Sequence, residues 1–326
     1  MKTHLVVAWL AALGLGTLGV PAAVVGEETG VDPGLPAYRQ VSGIAGNLNS
    51  MGSDTLNNLM AYWSEGFRRV YPNVNIQVEG KGSTTAPQAL SEGTAQLGPM
   101  SREMTQEELD NFERRHGFRP TRIDVAIDCL GVFVHKDNPV RGLTLPQLDA
   151  IFSKTRRSGY AAITTWGQVG VTGPWERMPI SLYGRNTASG TYGYFKERAL
   201  FGGDFRDTYR EQPGSSSVIQ SVGQDRAGIG YSGIGYLTSD VRPVPLAADQ
   251  QTPPAAPTFA NAVEGRYPLA RMLHIYVAKR PGEPLPPLIR EFITFVLSQE
   301  GQELVVKGGY GPLPARVAEA QLGKIE

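Results

Sequence analysis

The feature that most constrains the fold is a repeated order of strand, small-residue loop and helix. Between residues 56 and 70 the apolar residues recur at helical spacing, and residues 74–78 alternate between apolar and polar. A short helical pattern follows, then a strand that leads to Met100, and then a capping box formed by Thr105 and Glu108. Because strands and helices alternate in this way, we predict α/β layers around a mostly parallel sheet.

The second half of the chain continues the alternation. Thr144 is predicted to cap a helix, and residues 180–183 and 229–231 are predicted strands. A further strand at 273–277 and a strongly amphipathic helix at 288–297 complete the pattern. No internal sequence repeat is visible.

Length and charge narrow the class of protein. The chain has 326 residues, and single hydrophobic cores stop growing at roughly 250–300 residues, so we expect two lobes. Its 31 Lys and Arg residues balance 31 Asp and Glu residues. A neutral chain lacks the positive field used in nonspecific nucleic-acid binding, and we therefore expect no nucleic-acid partner.

The N-terminus is predicted to be an export signal. No Asp, Glu, Lys or Arg occurs from Leu5 to Gly26, and small residues precede more than one candidate cleavage point. We assign residues 1–26 to the signal peptide and 27–45 to a loose leader, and we expect a periplasmic mature protein. The alternative is a retained membrane anchor, because 22 uncharged residues could span a bilayer. Pro21 and the glycines of the run argue against that alternative.

Four loops carry small hydroxyl or charged residues at the ends of predicted strands, and three of them precede helices. Ligands of open α/β sheets bind at the carboxyl ends of the strands, where a helix N-terminus favours an anion. Hydroxyls add neutral donors, and an arginine adds a planar fork suited to phosphate or carboxylate. Each loop alone could be an ordinary helix cap. Together they favour an anion site at residues 52–55, 82–85, 101–102 and 185–191.

The order of these motifs resembles the PstS-like phosphate-binding component of phosphate ABC transporters. The motifs are Gly-Ser-Asp-Thr, Gly-Ser-Thr-Thr, Gly-Pro-Met-Ser-Arg and Arg-Asn-Thr-Ala-Ser-Gly-Thr, and the resemblance covers about residues 46–326. It implies a two-lobed α/β periplasmic-binding-protein-like fold of type II, with two mostly parallel sheets flanked by helices, a ligand cleft between the lobes and two crossover hinge strands. Lobe I would comprise residues 46–130 and 270–326, and lobe II residues 131–269.

The resemblance also implies a function. The protein would capture inorganic phosphate in the cleft and deliver it to ABC transporter permease subunits. Ten residues are implied as contacts of the anion, with Gly190 acting through its backbone N–H: Ser53, Asp54, Thr55, Ser83, Ser101, Arg102, Arg185, Ser189, Gly190 and Thr191.

This chain departs from the family pattern at three of the positions. Arg102 stands where many members have an Asp, Asp54 stands where a hydroxyl residue is common, and Thr187 stands where an Asp that braces the arginine is frequent. We hypothesise that Asp54 accepts a hydrogen bond from the proton of monohydrogen phosphate, which sulfate lacks, and that Arg102 is a second cationic donor. The alternatives are an ordinary N-cap for Asp54 and an outward salt bridge for Arg102.

Competing functions are a receptor for another oxyanion (sulfate, molybdate or a phosphonate), a secreted PstS-like phosphatase, and an exported structural protein without a working site. The four histidines are scattered and Ser189 lacks a Gly-x-Ser-x-Gly elbow, so we expect neither an enzyme nor a metal site or cofactor. The single cysteine, Cys129, lies in an apolar run and is expected to be a buried, inert thiol. Nothing indicates an oligomer, and a monomer is expected.

Overall fold

The computed structural model describes residues 30–326. The predicted signal peptide and the possibility of a membrane anchor lie outside these residues. Within them, the strands are β1 Gly46–Met51, β2 Val74–Glu79, β3 Gly98–Met100, β4 Thr121–His135, β5 Leu143–Thr144, β6 Ser181–Arg185, β7 Arg210–Gln212, β8 Gly228–Gly233, β9 Val241–Pro243, β10 Leu246–Ala247 and β11 Ala270–Val277.

The helices flank the sheets, and none in the described part of the chain has both the length and the apolar character needed to span a bilayer. Short 3-10 turns also occur, one of them at Asp54–Leu56. The α-helices are α1 Asn57–Val70, α2 Thr85–Glu92, α3 Gln106–His116, α4 Leu145–Phe152, α5 Gly190–Ala199, α6 Ser215–Gln224, α7 Phe259–Val263, α8 Pro287–Leu297, α9 Gln299–Lys307 and α10 Ala315–Leu322.

Local sequence accounts for the helix boundaries that position the loops. The Thr105 side chain accepts the N–H of Glu108 while the Glu108 carboxylate accepts the N–H of Thr105, so the predicted capping box at the start of α3 is confirmed. Thr144 and Gln147 form a second capping box at the start of α4. The C-cap of α3 is Gly117, whose φ of 78° lies in the left-handed region that glycine adopts without strain.

The sheets are mixed, and their parallel and antiparallel parts have a simple division. β1 pairs with β2, and β6 pairs with both β7 and β8, in parallel. The antiparallel ladders all involve β4 or β11, which pair with each other and with β3, β8 and β9. The strand–helix units thus build the expected parallel ladders. The antiparallel ladders arise because β4 and β11 run against their neighbours.

The two largest of the four clusters of buried apolar side chains in residues 30–326 form the main cores, and β4 contributes to both. Val125 and Ala126 belong to the first cluster, whereas Cys129 and Leu130 belong to the second. The segment around β11 divides in the same way, because Leu269 lies in the second cluster and Leu273 and Ile275 lie in the first. A strand that is shared by two cores can act as a hinge between them. We use the predicted limits of lobe I and lobe II below as our proposed domain boundaries.

The segment before β1 corrects one expectation. We predicted a loose leader over residues 27–45, but its described part, residues 30–45, packs on lobe I. Leu35 is buried in the first core. The Tyr38 hydroxyl lies 2.8 Å from that of Tyr71 and donates to Glu291 at 3.1 Å. The prolines and glycines that suggested a loose segment instead allow the chain to turn over the surface of α8 and α9.

Candidate functional site

A group of five buried hydroxyls lies where the two lobes meet. Four belong to lobe I and come from three different loops, and Thr191 belongs to lobe II. Ser53 Oγ donates to Ser101 Oγ at 2.9 Å, and Ser83 Oγ lies 3.3 Å from the same atom. Thr191 Oγ1 lies 2.8 Å from Thr55 Oγ1 and 3.3 Å from Ser101 Oγ. We call these five residues the hydroxyl cluster.

The topology explains why separate loops converge. The loops that hold Ser53, Ser83 and Ser101 follow β1, β2 and β3, and the loop that holds Ser189 follows β6. The carboxyl ends of neighbouring parallel strands meet at one edge of a sheet, so residues distant in sequence become neighbours. Ser189 is the N-cap of α5, where its Oγ accepts the N–H groups of Thr191 and Tyr192. Its hydroxyl proton remains able to donate to an anion.

Gly190 allows the lobes to approach closely. A Cβ atom added at Gly190 would lie 2.3 Å from Ser83 Oγ and 2.8 Å from Ser83 Cβ, on the opposite lobe. Gly82 makes a second close approach, because an added Cβ would lie 2.4 Å from the carbonyl oxygen of Ala188. The same carbonyl accepts the backbone N–H of Thr84 at 3.2 Å. The lobes therefore contact each other directly across the cleft.

Arg185 places a buried positive charge against Asp54, the residue between Ser53 and Thr55 of the hydroxyl cluster. Arg185 is 1% exposed. Its Nη1 donates to Ser215 Oγ at 2.8 Å and lies 3.0 Å from Asp54 Oδ2. Its Nη2 makes a long contact of 3.4 Å with the carbonyl of Pro213. Among the described residues, Nε of Arg185 is buried without a hydrogen-bond partner. Buried donors are normally satisfied, so this N–H is a donor available to a ligand.

Asp54 does not cap its own helical turn. Its Oδ2 instead accepts the N–H of Ser215 at 2.7 Å and pairs with Arg185. Its backbone carbonyl accepts the hydroxyl of Tyr236 at 2.7 Å. These partners belong to lobe II, whereas Asp54 belongs to lobe I, so this residue links the two lobes.

The structure does not bring Arg102 into the hydroxyl cluster. Its two terminal nitrogens donate to the Glu108 carboxylate at 2.7 and 2.6 Å, and Nη1 also donates to the Glu103 carbonyl. The salt bridge that we named as the alternative is therefore what the structure contains. The hypothesis of a second cationic donor at Arg102 is corrected, because α3 presents Glu108 directly beside the guanidinium.

A different arginine reaches the cluster. Arg271 Nη2 donates to Thr191 Oγ1 at 2.9 Å, and its Nη1 donates to the carbonyl of Ser101 at 2.8 Å. Nε and Nη2 also donate to Asp128 Oδ2, at 2.9 and 2.8 Å. Arg271 and Asp128 are register partners on β11 and β4, at the point where the chain passes from one core to the other. The ion pair thus lies in the hinge and touches both lobes.

Sequence reasoning missed Arg271, Asp128 and Ser215. A usable signal was present for two of them, since a charged residue inside an apolar strand is rarely buried without a partner. Ser215 is the first residue of α6, in the serine-rich sequence Gly214-Ser215-Ser216-Ser217.

Two tyrosines near the site have a raised pKa. Burial raises the pKa of Tyr236, and the negative charge of Asp54 adds to that effect. Burial also raises the pKa of Tyr194, whose ring lies 5.0 Å from the Arg271 guanidinium carbon. Both phenols are therefore neutral donors at physiological pH. Cys129 is buried, as predicted. Burial raises the pKa of its thiol to about 12.

Other candidate sites are less developed. Residues 30–326 contain no group of three metal-ligating side chains. A cavity of about 830 Å³ lies on lobe II, away from the hydroxyl cluster, and is lined by Leu145, Phe201, Arg266 and Pro268 among others. The convergence of buried donors, rather than cavity size, marks the functional site.

The comparisons with known proteins agree with this architecture. A family model described as a PBP superfamily domain matches residues 37–300. The phosphate-binding protein PstS of Pseudomonas aeruginosa is 54% identical over 317 residues, which cover 97% of this chain and 98% of that protein. A crystal structure of an ABC-type phosphate transport receptor from Vibrio cholerae aligns with a TM-score of 0.63 and 26% identity, covering 82% of this chain and 100% of that one.

A putative phosphate ABC transporter substrate-binding protein from Clostridium perfringens, solved with bound phosphate, aligns with a TM-score of 0.70. It is 24% identical, and the alignment covers 82% of this chain and 100% of that one. At this identity the likeness concerns the fold alone.

Two lobes joined by hinge strands, with donors converging in the cleft, define the class of solute-binding proteins. The match over residues 37–300 and the identity of 54% over nearly the whole chain are sufficient to assign the chain to a family. The chain belongs to the PBP superfamily and, within it, to the PstS family of phosphate-binding proteins. The predicted family and α/β fold class are thereby confirmed. The Pseudomonas aeruginosa relative is a binding protein, in line with the expectation for this chain.

Proposed function

We propose that this protein binds inorganic phosphate between its lobes and delivers it to an ABC transporter. The observation that carries the proposal is the convergence of buried hydroxyls from both lobes around Ser101 and Thr191. The Pseudomonas aeruginosa relative is a phosphate-binding protein, which supports phosphate as the ligand. The Vibrio cholerae relative is an ABC-type phosphate transport receptor, which supports a transporter as the destination.

The donors have the chemistry that a dehydrated oxyanion requires. The proposed contacts are the hydroxyl cluster, the hydroxyl of Ser189, the backbone N–H of Gly190, and the guanidinium of Arg185. Hydrogen bonds to a charged group contribute roughly 1.5–3 kcal/mol each, so several of them reach the roughly 8 kcal/mol of a micromolar complex even after the desolvation of the anion. The hydroxyls now pair with one another, and each can turn its proton towards an anion at little cost.

The charges near the cluster are locally balanced. Arg185 and Arg271 are offset by Asp54 and Asp128, through ion pairs of 3.0 and 2.8 Å. An anion is therefore stabilised by oriented donors and by the N-terminus of α5 rather than by net positive charge. This agrees with a chain whose formal charge is zero.

Export to the periplasm, contact with permease subunits and a monomeric state complete the proposal. The apolar run from Leu5 to Gly26 supports export. The hinge at β4 and β11 supports a closed, ligand-bound form that a permease could recognise.

Calorimetric titration with phosphate, arsenate, sulfate and molybdate tests the proposal. We expect phosphate to bind most tightly. Arg185→Lys should weaken phosphate binding by about 2 kcal/mol, about thirtyfold, because a lysine lacks the planar fork. Arg198→Lys, the same change at an exposed position of α5, is the matched control. Tighter binding of sulfate or molybdate than of phosphate would replace phosphate with another oxyanion, and no heat with any of the four would reject the receptor.

A further inference from the structure

The Asp54 side chain makes its contacts on the opposite lobe. Its Oδ2 accepts the N–H of Ser215 at 2.7 Å and lies 3.0 Å from Nη1 of Arg185. Ser215 is the first residue of α6, so the carboxylate also lies at the positive end of that helix dipole. We propose that Asp54 is a positioning residue that braces Arg185 across the cleft, so that the guanidinium is fully oriented for phosphate only when the lobes are closed. This inference rests on the proposed function.

Lobe II alone holds Arg185 weakly. Within that lobe the guanidinium has one short bond, to the neutral hydroxyl of Ser215, and one long contact with the carbonyl of Pro213. Thr187, two residues further along the chain, is exposed and carries no charge. In the described part of the chain, Asp54 is the carboxylate that forms an ion pair with Arg185. An arginine with neutral partners alone keeps more rotamer freedom than one that is also paired with a carboxylate.

The backbone of Asp54 and Thr55 is held from both lobes by two tyrosine hydroxyls. The hydroxyl of Tyr310, in the first core, donates to the carbonyl of Thr55 at 2.8 Å. The hydroxyl of Tyr236, in lobe II, donates to the carbonyl of Asp54 at 2.7 Å. Opening of the cleft would break the Tyr236 contact together with both contacts of the carboxylate. Closure and orientation of Arg185 are therefore coupled through one residue.

Three roles for Asp54 predict three different results for Asp54→Asn. If the carboxylate braces Arg185, the variant binds phosphate more weakly and gains no affinity for sulfate. If the carboxylate accepts the proton of phosphate, the variant binds phosphate more weakly and sulfate more tightly, because a repulsion is removed. If the carboxylate only opposes the charge of Arg185, the variant binds both anions more tightly.

The experiment compares the wild type, Asp54→Asn and Asp54→Glu by calorimetry with phosphate and sulfate, and by stopped-flow measurement of phosphate release. Asp207→Asn is the matched control, since it neutralises a carboxylate whose side chain is 88% exposed and pairs with Lys154 on lobe II. We expect Asp54→Asn to raise the Kd for phosphate about tenfold, mainly through faster release, as the loss of one charge-assisted bond implies. Asp54→Glu retains the charge and should lose less.

Small-angle scattering measures compaction, which would not change at matched saturation if Asp54 acted only by direct contact with phosphate. Phosphate should compact the wild type and Asp207→Asn fully, but Asp54→Asn only in part at matched saturation. An unchanged or lower Kd in Asp54→Asn, a gain in sulfate affinity, or full compaction of that variant would each overturn the brace. Failure of the wild type to bind phosphate would overturn the proposed function itself, so the two failures are distinguishable.

Discussion

Arg271 Nη2 lies 2.8 Å from Asp128 Oδ2, and the two residues face each other in register on β11 and β4. Both side chains are almost completely buried, and the arginine also donates to Thr191 Oγ1. Removing one partner of a buried ion pair leaves an uncompensated charge and costs about 3–5 kcal/mol. A charge pair at this position thus connects hinge stability to the hydroxyl cluster.

We predict opposite effects of phosphate on the two single variants. Asp128→Asn should be less stable in phosphate-free buffer but should gain more stability from phosphate than the wild type, because the anion offsets the unpaired Arg271. Arg271→Met should be less stable and should gain less from phosphate, since it leaves Asp128 unpaired. Thermal unfolding with and without phosphate measures both. Equal phosphate-induced shifts in the two variants would show that the pair has a structural role only.

The close approach at Gly190 leads to a second prediction. Gly190→Ala places a Cβ atom 2.3 Å from Ser83 Oγ and 2.8 Å from Ser83 Cβ, so full closure requires a movement of one lobe. We expect a loss of phosphate affinity on the order of tenfold or more, with the stability of lobe II unchanged, because alanine is favourable at the start of a helix. Calorimetry and thermal unfolding separate the two quantities.

Gly193→Ala is the matched control for that experiment. It lies on the same helix, and an added Cβ would have its nearest neighbour at 3.6 Å, in ordinary contact. It should leave phosphate affinity unchanged and could raise stability by about 0.5–1 kcal/mol. If both variants bind phosphate like the wild type, the lobes do not approach as closely in the complex as they do here.

The parts of the site that could be predicted from the sequence are those with a local signal. Ser53, Ser83 and Ser189 follow predicted strands and precede helices, so their pattern within a few residues places them at one edge of a sheet. For Asp128 and Arg271 the charged residue inside an apolar strand indicates a buried partner but does not name it, because their mutual contact joins positions 143 residues apart. The two residues pair because β4 and β11 are aligned in this register. A single sequence does not specify the register between two distant strands.

The role of Asp54 shows the same limit at the level of whole lobes. Its partner Ser215 is 161 residues away and belongs to the other lobe. An aspartate at the start of a helical turn is usually read as a cap, and only the closed arrangement reveals that Asp54 reaches the start of α6 instead. The leader was misjudged for a related reason, since the packing of Leu35 depends on a core built from distant helices.

The pH dependence of stability should contain a contribution from Asp124. Its Oδ1 lies 2.7 Å from Nδ1 of His274. Burial raises the pKa of the Asp124 carboxyl, but the hydrogen bond from His274 and the charges of His274, Arg122 and Lys324 outweigh burial and lower that pKa below its ordinary value. A carboxyl whose pKa is lower in the folded state stabilises the fold above its unfolded pKa of about 3.9, and this stabilisation is lost as the pH falls through the folded pKa.

Asp124→Asn should therefore lower the free energy of unfolding by about 1–3 kcal/mol at pH 7. The difference from the wild type should shrink as the pH falls below about 4. Urea unfolding across that range measures it, with Asp137→Asn as a control at a position whose side chain is 57% exposed. A difference that stays constant down to the lowest pH would mean that the carboxylate charge does not contribute.

The last prediction concerns Arg102, which the sequence placed in the site and the structure pairs with Glu108. Both residues are mostly buried, with side chains 17% and 19% exposed, and Glu108 also accepts the N–H of Thr105 in the capping box of α3. Arg102→Ala should thus cost about 1–2 kcal/mol of stability through the weakened start of α3. Phosphate affinity should remain within about twofold of the wild type, because the guanidinium makes no hydrogen bond to the hydroxyl cluster. Arg185→Ala is the comparison variant, because it also removes one arginine charge. It should reduce phosphate binding by at least about thirtyfold. A comparable loss of affinity in both variants would return Arg102 to the ligand set and would require α3 to release it when phosphate binds.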